Sequence, residues 1–100
     1  MHIIKQKTLK DFRLKHNDAE SQLKSWIFNV ENNTWNSFID IKKVYRSADV
    51  IANNRVIFNI KGNDYRLIAK INYDRGQVYI KFIGTHSEYD KIDANTVDMY

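Results

Sequence analysis

The chain has no cysteine, no proline and only three glycines in 100 residues. Without cysteine there is no disulfide and no thiolate metal site, which fits a reducing cytoplasm. No apolar run approaches membrane-spanning length, and no signal-peptide pattern opens the chain. A cytoplasmic protein with no membrane partner is therefore expected. There is no glycine-rich phosphate loop and no dinucleotide fingerprint. His2, His16 and His86 are scattered, with no pair at ligand spacing on a helix, and the carboxylates form no cluster. Ser47 and Ser87 lie in no nucleophile elbow. These absences remove many enzyme classes, and no metal or other cofactor is expected. Metal-free phosphodiester chemistry is left open.

What is present is a modest apolar core and an uneven positive charge. The apolar fraction of 43% suits one small folded domain over residues 1–100. The net charge is +4, with 11 Lys/Arg against 6 Asp/Glu in residues 1–61 and 5 against 6 in residues 62–100. A basic surface suggests an anionic partner.

Residues 2–6 read as a first strand. Thr8 with Asp11 reads as a helix start, for a helix to about His16 that buries Leu9 and Phe12. Asn17 with Glu20 reads as a second start, of capping-box type. Leu23, Trp26, Ile27 and Val30 then make one apolar helical stripe. Phe38, Ile41, Val44 and Tyr45 fit a short third helix capped by Asn36 or Ser37, ended by residues 46–49.

Two hairpins follow. Gly62-Asn63 between alternating β-type runs is a strong turn signal. It pairs Arg55 with Lys70, Ile57 with Ile68, Asn59 with Arg66 and Lys61 with Asp64. Taking Arg75-Gly76 as the second loop sets Lys70 opposite Lys81, Ile68 opposite Ile83 and Arg66 opposite Thr85. A bulge would shift that register. Because side chains alternate, one face collects Val56, Phe58, Ile60, Tyr65, Leu67, Ala69, Ile71, Tyr73, Val78, Ile80 and Phe82. The helices should cover it. The other face sets Arg55, Lys70 and Lys81 in a row, with Arg66 and His86 nearby. Like charges about 5 Å apart repel by roughly 3 kcal/mol at an effective dielectric of 20. Such a row either grips an anion or splays its side chains into water. The order is β-α-α-(α)-β-β-β, an α+β fold with helices on one side of a sheet.

Cleaving RNA without metal needs a base for the ribose 2′-OH, cations for the phosphate and an acid for the leaving oxygen. Residues 84–91 offer His86, Glu88 and Tyr89 together. If they turn into a short helix, His86 and Tyr89 share a face. The same two residues would equally serve to cap and pack the strand end.

Residues 56–68, 71–73 and 84–92, with Asp18-Ala19, Trp26, Trp35 and Ser47-Ala48-Asp49, resemble the HigB family of toxins along nearly the whole chain. The resemblance implies a RelE-like fold, a twisted antiparallel sheet with helices on one face. It implies an endoribonuclease that cuts translated mRNA at the ribosome, in contact with rRNA. It also implies a HigA-type helix-turn-helix antitoxin, with operator DNA met only through the complex. Arg66 matches the family's strand arginine, His86 the basic residue after the last strand, and Tyr89 the functional tyrosine near the carboxyl terminus. RelE has lysine and arginine where this chain has Thr85 and His86, so its set of cations is thinner. His86 is assigned the general base, with Glu88 and Tyr89 as alternatives. Asn59, Lys61, Lys70 and Lys81 are expected to hold phosphate or rRNA, with Arg55, Arg46, Lys43 and Lys42 as further candidates. Residues 93–100 are expected to be mobile or to order on a partner. A non-catalytic RNA- or ribosome-binding module would use the same charges without an acid–base pair, and a plain protein-interaction domain would need neither.

Overall fold

A computed structural model describes residues 1–99 of the chain. The order is β1 (His2–Ile4), α1 (Gln6–Lys15), a 3₁₀ turn at Asn17–Ala19, α2 (Glu20–Glu31), α3 (Phe38–Val44), β2 (Asp49–Ile51), β3 (Arg55–Ile60), β4 (Tyr65–Asn72), β5 (Gln77–Thr85) and α4 (His86–Tyr89). The five strands form one sheet in the order β1-β5-β4-β3-β2. The α+β class and the helical layer on one side of the sheet are as the sequence implies.

The helical layer covers the expected apolar face. Leu9, Phe12, Leu23, Trp26, Val30 and Ile41 join Val56, Phe58, Ile60, Leu67, Ala69, Ile71, Val78 and Ile80 in the main core. Trp26 and Tyr45 both meet Phe58 edge-on, at 5.3 Å between ring centroids. Helix starts differ from the sequence reading. Helix α1 begins at Gln6 behind Lys5, which takes the left-handed conformation, and Thr8 lies inside the helix. The Asn17 start becomes the 3₁₀ turn, and no side-chain cap forms on α2. Val44 stays exposed.

The β3–β4 register is the expected one: Arg55 opposite Lys70, Ile57 opposite Ile68, Asn59 opposite Arg66. The β4–β5 register is not. Asn72 pairs with Gln77, so the loop has four residues, 73–76, rather than the two of Arg75-Gly76. Asn72 Oδ1 accepts the Arg75 N–H at 3.1 Å, and Gly76 takes φ 64°, which suits glycine. Lys70 therefore faces Tyr79, not Lys81, and Arg66 faces Gly84, not Thr85. A bulge opposite Ile68/Ala69 adds one residue, Lys81, between Ile80 and Phe82. One extra residue inverts a period of two. Phe82 thus leaves the expected face, and Ile83 takes a place in the main core.

Two strand features escaped the sequence reading. Residues 49–51, of which only Asp49 entered the reading as the close of the third helix, form β2 and pair with β3 through a turn in which Asn53 and Asn54 hold φ of 61° and 58°. Asparagine tolerates that left-handed region; the Asn-Asn pair was the available signal. Strand β1 joins β5 in parallel, so the sheet is not antiparallel throughout.

Candidate active site

The second face of the sheet carries the charges, but not as one open row. Its middle is apolar. Ile57, Ile68 and Phe82 form a small second core, against which Tyr89, Ile92, Ala94 and Val97 pack. Residues 92–99 thus lie across the face as a strap, where residues 93–100 are expected from the sequence to be mobile or to order on a partner; Tyr100 falls outside the described residues. Arg55 is buried beneath the strap. Its Nη1 donates to the carbonyls of Ala94 (3.1 Å) and Val97 (2.7 Å). It anchors the strap and is almost wholly withdrawn from solvent, a place at odds with its expected role on phosphate. Lys81 Nζ lies 3.0 Å from Asp98 Oδ2, and the Met99 N–H donates to the Lys81 carbonyl.

The strap divides the face into two ends. One is built by the last turn of the β3–β4 hairpin, the end of β5 and α4. There Asn59, Arg66 and Gly84 stand in one cross-strand row. Arg66 donates to the Asn63 carbonyl at 3.2 Å, and its guanidinium carbon lies 5.7 Å from the centre of the Tyr89 ring. Cation–π attraction at that distance orients both groups. The His86 N–H donates to the Asp64 carbonyl, tying α4 to the β3–β4 turn. His86 is half exposed, and its Nδ1 lies 3.1 Å from Asp90 Oδ2. A carboxylate there accepts a hydrogen bond from Nδ1–H, and in that tautomer the neutral ring carries its lone pair on Nε2.

Helix α4 exists because of its cap. Thr85 Oγ1 accepts the Glu88 N–H at 3.1 Å, while Glu88 Oε1 accepts the Thr85 N–H at 2.8 Å. The Thr85 backbone hydrogen bond leads in holding the Glu88 carboxyl below the usual range. Glu88 is thereby the buttress of the turn that carries His86 and Tyr89, and a poor choice of base. Gly84 has a steric reason. A Cβ there would stand 2.6 Å from Phe82 Cζ and 3.2 Å from Glu88 Oε1. Gly84→Ala is expected to cost about 1–3 kcal/mol by displacing the Phe82 ring. Urea unfolding checks this; an unchanged midpoint would mean the ring swings away freely.

Lys61 is close by but engaged. Its Nζ lies 2.8 Å from Asp18 Oδ2 and 3.9 Å from Asp64 Oδ2, and its backbone N–H donates to Gln22 Oε1. Tyr65 donates its hydroxyl proton to Asp18 Oδ1 at 2.6 Å. That bond leads in raising the Tyr65 pKa to about 12, with burial adding. Hydrogen bonds from Lys61 and then Tyr65 lower the Asp18 pKa. A lowered carboxyl stabilises the fold above its unfolded value near 4, and the gain fades as pH falls through the folded value. The raised Tyr65 works the other way: its contribution is full below about pH 10 and is lost as pH rises toward 12. Asp18→Asn should flatten both limbs of a thermal-unfolding profile against pH, and Tyr65→Phe should flatten the alkaline limb.

The remaining candidates are dispersed. Asn59 Nδ2 donates to the Ser47 carbonyl at 3.5 Å, so the loop bearing exposed Arg46 passes this end. Lys42 and Lys43 belong to α3 in the helical layer. Lys42 donates to the Ala48 carbonyl at 2.8 Å, and Lys43 lies 4.0 Å from Asp40. Lys70 is exposed at the far end, beside Tyr79 and across the strap from Arg66. Among the described residues no three His, Cys, Asp or Glu side chains group as metal ligands. No helix there is long and apolar enough to cross a membrane.

The model of one protein family, described as HigB_toxin, RelE-like toxic component of a toxin-antitoxin system, matches residues 19–92. The mRNA interferase toxin HigB of Escherichia coli K12 is 29% identical over 96 residues, covering 94% of this chain and 92% of that one. The mRNA interferase HigB of Shigella flexneri matches with the same identity and coverage. The mRNA interferase HigB of Escherichia coli O6:H1 is 24% identical over 94 residues, covering 92% of this chain and 91% of that one.

Proposed function

Because the chain belongs to the HigB_toxin family of RelE-like toxic components, we propose that it is an mRNA interferase, an endoribonuclease that acts on translated message at the ribosome. The observation that carries the reading is Arg66 beside the Tyr89 ring at one end of the sheet, with His86 on the same short helix as Tyr89 and Asn59 in the same row as Arg66. These groups cover the needs of metal-free cleavage. His86 Nε2 takes the proton of a ribose 2′-OH, and the 2′-oxygen attacks the adjacent phosphorus. Arg66 stabilises the charge that builds on the phosphate oxygens. The bond from phosphorus to the 5′-oxygen breaks, and that oxygen takes a proton, for which Tyr89 is the nearby donor. The products carry a 2′,3′-cyclic phosphate and a 5′-hydroxyl. Lys61 and Arg46 flank the same end for the phosphates on either side.

As the toxic half of a pair, the protein is neutralised by an antitoxin, for which a HigA-type helix-turn-helix protein is our assignment. Operator DNA would be met only through that complex, in the cytoplasm. Mapping message ends after induction tests the activity. New internal ends with 5′-hydroxyl termini, in translated but not untranslated message, are expected. Arrested translation without new ends would replace this reading with a non-catalytic ribosome-binding module.

A further inference from the structure

The other end of the charged face holds an open cleft of about 480 Å³, apart from Arg66, Tyr89 and His86. Lys70, Lys81, Tyr79, Asn54, Asn72 and Asp74 line it. Tyr79 stands directly opposite Lys70, and its hydroxyl donates to Gln77 Oε1 at 2.8 Å, which fixes the half-buried ring. The Lys81 ammonium lies 5.9 Å from the centre of that ring. Lys70 makes no ion pair among the described residues. The four-residue loop creates this arrangement: it sets Tyr79 rather than Lys81 opposite Lys70, and Lys81, the bulge residue, turns its ammonium toward the same ring.

We infer that this cleft is a nucleotide subsite, which takes one base of single-stranded RNA stacked on Tyr79 with its phosphate held by Lys70 and Lys81. The chemistry of the lining selects that ligand. Two cations beside an aromatic face suit a group that is anionic and flat at once. Asn54, Asn72 and Asp74 add the amide donors and acceptors and the carboxylate that a base edge or ribose hydroxyl can pair with. A bare phosphate would use the lysines and leave the ring and amides without a task. Lys81 already holds Asp98 at 3.0 Å, so an arriving phosphate exchanges one oxyanion for another. Lys70 lies four steps along β4 from Arg66, about 13 Å at 3.3 Å per residue. A short oligonucleotide spans that distance. The subsite rests on the RNA-cutting reading and extends it: the cleft grips message a few nucleotides from the cut.

The test uses the full-length protein and two fluorescent probes, a single-stranded RNA hexanucleotide and an abasic strand of equal length. Tyr79→Ala is expected to weaken hexanucleotide binding about ten-fold, while Tyr79→Phe holds it within about two-fold, because the ring alone stacks. The abasic strand should bind parent and Tyr79→Ala alike. Lys70→Ala should weaken both probes and lower the salt slope by about one phosphate. Unchanged hexanucleotide affinity in Tyr79→Ala overturns the subsite. So does an equal loss on both probes, which reports general damage or a bare charge effect. If Tyr79→Ala binds as the parent does while the parent cuts message, the subsite fails and the nuclease stands. If the parent makes no new message ends yet shows ring-dependent hexanucleotide binding, the nuclease fails and the subsite stands.

Discussion

His86→Ala and Arg66→Ala should each abolish growth arrest at equal expression, with message cleavage reduced about 10²–10⁴-fold. The size follows from what each group supplies. Removing His86 removes the proton acceptor aimed by Asp90, and no other group in the site has the same pairing. Removing Arg66 takes away the guanidinium beside the Tyr89 ring. Neither side chain belongs to either apolar core, so unfolding midpoints should stay within a few degrees of the parent. Asp90→Asn is the finer probe. It keeps a partner for Nδ1 but withdraws the carboxylate charge beside the ring, so cleavage should fall less than in His86→Ala. Full toxicity in both alanine variants would show that the site lies elsewhere on the molecule.

Arg55→Ala should be the most damaging single change on the second face, costing about 3 kcal/mol. For a domain of this size, that lowers Tm by roughly 12 °C or more. Arg55 is 8% exposed, and its guanidinium makes two charge-assisted hydrogen bonds to strap carbonyls. Its loss leaves both carbonyls without their partner and opens a gap beside Ile57. The strap should then loosen, and protease should cut within residues 92–99 before it cuts the sheet. Arg55→Lys should recover only part of the loss, since one ammonium cannot reproduce a planar guanidinium. An arginine that served only to hold RNA would behave oppositely: weaker RNA binding with an unchanged Tm. That outcome would return Arg55 to the ligand-binding set.

The two hairpins show why some registers are readable and others are not. Gly62-Asn63 set the β3–β4 pairing because turn chemistry and alternation agree over six residue pairs. The β4–β5 pairing was misread twice, once at its four-residue loop and once at Lys81. A bulge leaves no local mark when the run on either side is uniformly β-type, as residues 78–83 are. Its cause lies elsewhere: Phe82 and Ile83 each find an apolar pocket, on opposite faces, that the expected register would exchange. The grouping of the candidate site residues at one end of the sheet was legible, since Arg66 lies beside Tyr89 and His86 opens the same short helix. The status of Glu88 as a cap, of Arg55 as an anchor and of Tyr79 as a ring opposite Lys70 and beside Lys81 was not.

What the sequence decided alone is what short-range chemistry controls. That includes the α2 stripe over the sheet, the first hairpin and the placing of an imidazole just past the last strand. Each follows from spacing within a few residues, where periodicity and turn preference act. What only the tertiary structure decided depends on contacts between distant segments. Strand β1 docks in parallel on β5, the bulge exchanges the faces of Phe82 and Ile83, and the strap crosses the charged face on Arg55, 39 and 42 residues away from the carbonyls it holds. Burial and hydrogen-bond satisfaction settle those choices, and both are properties of the assembled fold rather than of any window of the chain.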